Sequence, residues 1–76
     1  MMTEMENVWA RIKTHATAQA ARRSRLGLSE AVMIVVRICR EELTTYPPDE
    51  AIEYLTAELM RLMKEARVRR FDRGVV

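Results

Sequence analysis

The run Ser29–Leu43, SEAVMIVVRICREEL, constrains this chain more than any other stretch. From Ala31 to Val36 it carries six apolar residues without a break, and Ile38, Cys39 and Leu43 extend the run. A segment this apolar must be buried on nearly every side, so its neighbours in the chain have to cover it. Val32, Ile34, Val35, Val36 and Ile38 have high β-propensity, which makes a buried strand conceivable. The polar positions Glu30, Arg37, Arg40, Glu41 and Thr44, however, recur at helical spacing and form one narrow stripe. Fifteen residues is also long for a strand and ordinary for a helix. The segment reads as a buried helix over about 30–44, with Ser29 as N-cap and Glu30 in the first turn.

The preceding segment opens with a capping box, T-x-x-E, in which Thr3 caps the amide of Glu6 and Glu6 reaches back. Met5, Val8, Trp9, Ile12 and Ala16 then lie on one stripe of a 3.6-residue helix. Acidic Glu4 and Glu6 stand in the first turn and Arg22, Arg23 and Arg25 in the last, as a helix dipole prefers. Gly27 is the natural stop. This predicts a helix over about 4–24. A strand reading competes with it, because Val8, Ala10 and Ile12 also alternate with Trp9, Arg11 and Lys13. Alternation would leave Trp9 on the polar face, whereas the helical stripe buries it.

After a turn at Thr44–Pro47, Pro48 suits the first position of a third helix, with Asp49 and Glu50 behind it. Ile52, Leu55, Leu59, Leu62 and Ala66 step by 3, 4, 3 and 4, and Met60 and Met63 widen that seam. The pattern lapses after Val68, so the helix is expected over about 48–70, with Gly74 marking the end. The fold class is therefore all-α: a three-helix bundle in a single helical domain spanning 1–76.

A chain of 76 residues buries only roughly 60% of its unfolded surface, which leaves a thin margin of stability. One cysteine excludes an intramolecular disulfide, and one histidine beside it excludes a closed zinc site within the chain. Oligomerisation is the remaining way to gain stability. The second helix has more apolar surface than two neighbours can cover, so a homodimer through that helix is expected. Its interface would use Val32, Val35, Val36 and Cys39, with Met60 and Met63 from the third helix. The acidic start MMTEMEN lacks an apolar h-region, so no signal peptide is expected, and no apolar run is long enough for a membrane span. Cys39 within the apolar run reads as a small core residue in a reducing compartment, which places the chain in the cytoplasm.

Short turns make successive helices antiparallel, so the first and third run the same way. Formal charge is −2 over 1–10, +5 over 11–25, −1 over 26–46, −4 over 47–60 and +4 over 61–76. The bundle should therefore be bipolar. One end gathers Arg22, Arg23, Arg25, Arg67, Arg69, Arg70 and Arg73. The other gathers Glu4, Glu6, Glu41, Glu42, Asp49, Glu50 and Glu53.

No phosphate-binding glycine loop, nucleophile elbow or H-E-x-x-H metal motif occurs. Glu41/Glu42 and Glu50/Glu53 read as solvated helix faces, and His15 as a surface residue with no second ligand in reach. No enzyme activity, cofactor or metal is expected. The arginine clusters R-R-S-R and R-V-R-R-F-D-R carry the functional signal, because guanidinium groups fork onto phosphates. Phe71 among them could stack on a base or pack back on the bundle. The expected function is that of a small regulatory protein contacting nucleic acid or an acidic partner through this end. A protein–protein adaptor, using the third-helix seam or the Trp9 face, is the rival.

The segments V-W-A-R-I-K (Val8–Lys13), L-G-L-S-E-A-V (Leu26–Val32) and I-V-V-R-I (Ile34–Ile38) resemble the ribbon-helix-helix repressors that form the DNA-binding half of many antitoxins. That resemblance implies a strand at 8–13 pairing across a dimer, with Trp9, Arg11 and Lys13 turned to the major groove. It also implies a helix from Ser29 as the dimer core and a C-terminal helix that neutralises a toxin.

Overall fold

A computed structural model, describing residues 2–22 and 26–74 with side chains as far as Val68, places three helices around one core. They are α1 (Glu4–Ala21), α2 (Leu28–Glu42) and α3 (Asp49–Gly74). Among the described residues there is no strand. Residues 8–13 lie inside α1, which corrects the ribbon expectation and leaves Trp9, Arg11 and Lys13 on a helix. The burial pattern there is helical: Val8, Ile12 and Ala16 are covered while Ala10 is exposed, whereas alternation would put Ala10 on the same face as Val8 and Ile12.

The capping box forms as expected. The Glu6 amide donates to Thr3 Oγ1 at 3.1 Å and the Thr3 amide donates to Glu6 Oε1 at 3.2 Å. At the far end α1 stops at Ala21 with Arg22 as C-cap, so Arg22 falls at the helix end and not in its last turn. Arg23 and Arg25 lie outside the described residues.

Two helix starts differ from the sequence reading. Gly27 ends no helix in the left-handed conformation. It is the N-cap of α2, with φ −72° and ψ 162°, and Ser29 stands inside the helix. Extended backbone at the N-cap is open to any residue, so the glycine caps without contributing a side chain. Pro48 precedes α3, its carbonyl accepting from the amides of Ala51 at 3.0 Å and Ile52 at 3.3 Å. α3 also runs four residues further than the expected end at residue 70, to Gly74.

Ion pairs and ring contacts set the helix directions. Glu4, at the start of α1, accepts from the Thr44 amide and hydroxyl just after α2, at 2.6 and 2.8 Å. Arg11 of α1 reaches Glu41 at 3.1 Å and Glu42 at 3.5 Å at the end of α2. α1 and α2 are therefore antiparallel. Trp9 and Tyr54, each near the start of its helix, meet edge to face with ring centroids 6.1 Å apart, so α1 and α3 run parallel.

The core consists of Val8, Ile12 and Ala16 from α1, Ala31, Val35, Ile38 and Cys39 from α2, and Ile52, Leu55, Leu59 and Met63 from α3. Thr56 shares it, its hydroxyl donating to the Ile52 carbonyl at 2.7 Å. No buried side-chain polar atom among the described residues lacks a partner. The radius of gyration is 13.2 Å, above the ~11 Å of a compact domain this size. The excess comes from α3, whose 26 residues reach about 39 Å at ~1.5 Å each.

Candidate anionic-partner interface at the arginine end

The bundle brings Arg22 and Arg67 to one end by register. Trp9 and Tyr54 lie side by side, and Arg22 and Arg67 each follow thirteen residues later. At ~1.5 Å per residue both stand about 20 Å beyond the aromatic contact. Both side chains are exposed. α3 continues past α1 to Gly74, carrying the backbone of Arg69, Arg70 and Arg73 outward as helix. The side chains of those three lie outside the described residues.

The same end holds the start of α2, because α2 runs against α1. Its first amides receive no side-chain cap, so the positive pole of that helix adds to the arginine charge. The opposite end gathers carboxylates. Glu4 is held below the usual carboxylate range by the hydroxyl and then the amide of Thr44. Asp49 and Glu50 open α3 there, and Glu41 and Glu42 close α2. The ends of α1 and α3 thus segregate charge along the long axis, while α2 runs against it, with Glu30 near the arginine end and Arg40 near the acidic one.

Not every cation of α3 belongs to the basic end. Arg61 sits between Glu58 at 2.5 Å and Glu65 at 2.6 Å on its own helix. Those carboxylates, Glu58 first, raise its pKa and neutralise its charge locally. Arg11 is likewise matched by Glu41 and Glu42.

The residues expected to meet a second chain separate into two groups. Val35, Cys39 and Met63 lie in the chain's own core, at 0%, 0% and 5% exposure, because α1 and α3 close over that face of α2. In this chain they are covered by its own helices. Val32 and Val36 are half-buried, and Met60 is exposed. The large apolar side chains that α2 leaves open are Leu28 and Met33, neither of which the apolar run singles out.

Cys39 is enclosed and burial pushes its thiol pKa up, the reverse of what a reactive cysteine needs. Among the described residues no three His, Cys, Asp or Glu side chains come together as a metal site. None of the helices, as described, is long and apolar enough to cross a membrane. No protein-family model, curated protein or solved structure matches the chain.

Proposed function

We propose that this chain is a non-enzymatic regulatory protein that acts as a homodimer and binds a polyanion, foremost nucleic acid, through the arginine end. The observation that carries this reading is the parallel register of α1 and α3, which stacks Arg22 level with Arg67 below the α3 extension. Guanidinium groups on one exposed helical end, next to a helix N-terminus, suit a row of phosphates. Glu4, Glu41, Glu42, Asp49 and Glu50 stand at the other end, where they do not oppose the approach of an anion, and Glu65 is paired with Arg61. A dimer would carry two such ends. The chain's enclosed thiol fits a binding role better than a catalytic one.

Fluorescence anisotropy with short DNA and RNA across a salt series tests this. Binding is expected at ~50 mM salt, with log affinity falling linearly in log salt. An acidic peptide serves as a competing probe. Absence of nucleic-acid binding at that salt, with capture of the peptide, transfers the reading to an acidic protein partner. Absence of both ends it.

A further inference from the structure

We infer that the outer face of α2 is the self-association surface, taking a second copy of the chain antiparallel across a two-fold axis. This rests on the homodimer in the reading above and not on its nucleic-acid part. The surface is different from the one the apolar run points to.

Opposite the core side of α2 stand Glu30, Met33, Val36, Arg37 and Arg40, at spacings of three and four that keep them on one face. Met33 is 68% exposed. Beside them, between α1 and α2, runs an open groove of about 260 Å³ lined by Gln19, Leu26, Glu30, Met33, Ile34 and Arg37. Other charges near α2 are matched within the chain: Glu41 and Glu42 by Arg11, and Glu4 by Thr44. Glu30, Arg37 and Arg40 have no ion-pair partner among the described residues.

That pattern complements itself. In a two-fold antiparallel pair centred near residue 35, each position meets the one equally far on the other side of the axis. Glu30 then faces the partner's Arg40, and Arg40 faces the partner's Glu30. Met33 falls between them against the partner's Val36 and Arg37, where its flexible thioether can fill the groove. A parallel pair would set Glu30 on Glu30 and Arg40 on Arg40. The charges thus fix both the occupant and its direction. The α2 face is about 22 Å long at ~1.5 Å per residue, so the contact is smaller than the ~800 Å² per partner of a standard interface. Association should be reversible and concentration-dependent.

Sedimentation equilibrium of the full chain, without nucleic acid, from 10 µM to 1 mM (about the range where small interfaces associate) tests this. A monomer–dimer equilibrium is expected. Met33→Glu should weaken it at least about tenfold, since a charge would be trapped at the centre of the contact. Met33 is exposed, so the fold should survive, and circular dichroism checks this. Glu30→Arg and Arg40→Glu should each weaken dimerisation, and the double variant carrying both should recover it. Dimerisation that ignores all these variants overturns the α2 surface while leaving the dimer intact. A monomer throughout the range overturns both. Single variants that weaken it with no recovery in the double overturn the antiparallel pairing.

Discussion

The Trp9 indole and the Tyr54 phenol meet edge to face, with centroids 6.1 Å apart and planes at 82°. This contact ties the second turns of α1 and α3 together and so sets which side chains come level further along. An edge-to-face pair contributes about 0.5–1.5 kcal/mol beyond its buried area. A double-mutant cycle with Trp9→Leu and Tyr54→Leu, followed by urea unfolding, should return a coupling energy in that range. Additivity would show that the two rings do not hold the register.

The helix starts give a contrasting pair. Thr3 caps α1 through its hydroxyl, so Thr3→Ala should cost about 1 kcal/mol. Ser29 lies inside α2 and caps nothing, so Ser29→Ala should change stability little or raise it slightly. Gly27 has open space where a Cβ would go, and its backbone is extended. Gly27→Ser should therefore stabilise by a few tenths of a kcal/mol. Chemical denaturation of the three variants checks the boundary. A larger loss for Ser29→Ala than for Thr3→Ala would move it back to Ser29.

How much of this was legible depends on how local the cause is. The capping box is readable because both of its residues lie within one turn. The stripe of Val8, Ile12 and Ala16 is readable because burial on one side imposes the helical period. Gly27 misleads, since glycine ends helices more often than it begins them, and its angles are invisible in the sequence. Periodicity also says that Val35, Cys39 and Met63 are covered without saying by what. A second chain and the chain's own α1 and α3 leave the same pattern. Tyr54 lies off the α3 seam, so no signal in the sequence joins it to Trp9. Thr56 is hidden for another reason: its hydroxyl satisfies itself on the Ile52 carbonyl and lets a polar residue occupy a core position.

Glu4 should titrate below an ordinary glutamate, because Thr44 donates its hydroxyl and its amide to the carboxylate. A depressed folded pKa means that this contribution to stability is full above the usual value of about 4.3. It is lost as pH falls through the lowered folded value. NMR titration of the Glu4 side chain should show the depression. Thr44→Val, which removes the hydroxyl and keeps the amide, should bring the value part of the way back. An unchanged value in the variant would exclude the hydroxyl as the main cause.

Cys39 should be unreactive in the native protein. Its side chain is fully covered and burial raises its pKa, so little thiolate forms and no reagent reaches it. Thiol labelling at pH 8 should proceed only as fast as the chain unfolds, and should be rapid in denaturant. A folded thiol binds its proton more tightly than an unfolded one here, so stability should decline as pH rises above the ordinary value of about 8.5. Labelling at the unfolded rate in native buffer would place Cys39 on an open surface.

The proposed interface can be mapped residue by residue with a ¹⁵N-labelled chain titrated with a short DNA duplex at low salt. Amide shifts are expected to move at Ala20–Arg22, at the start of α2 and from Lys64 to the end of α3. The amides of Thr3–Glu6 and Thr44–Glu50, at the acidic end, should stay still. Arg67→Glu should reduce the binding and its salt dependence without changing the spectrum of the core. Shifts centred on the Trp9–Tyr54 face, or no shifts at a concentration where the duplex is in excess, would contradict the assignment of function to the arginine end.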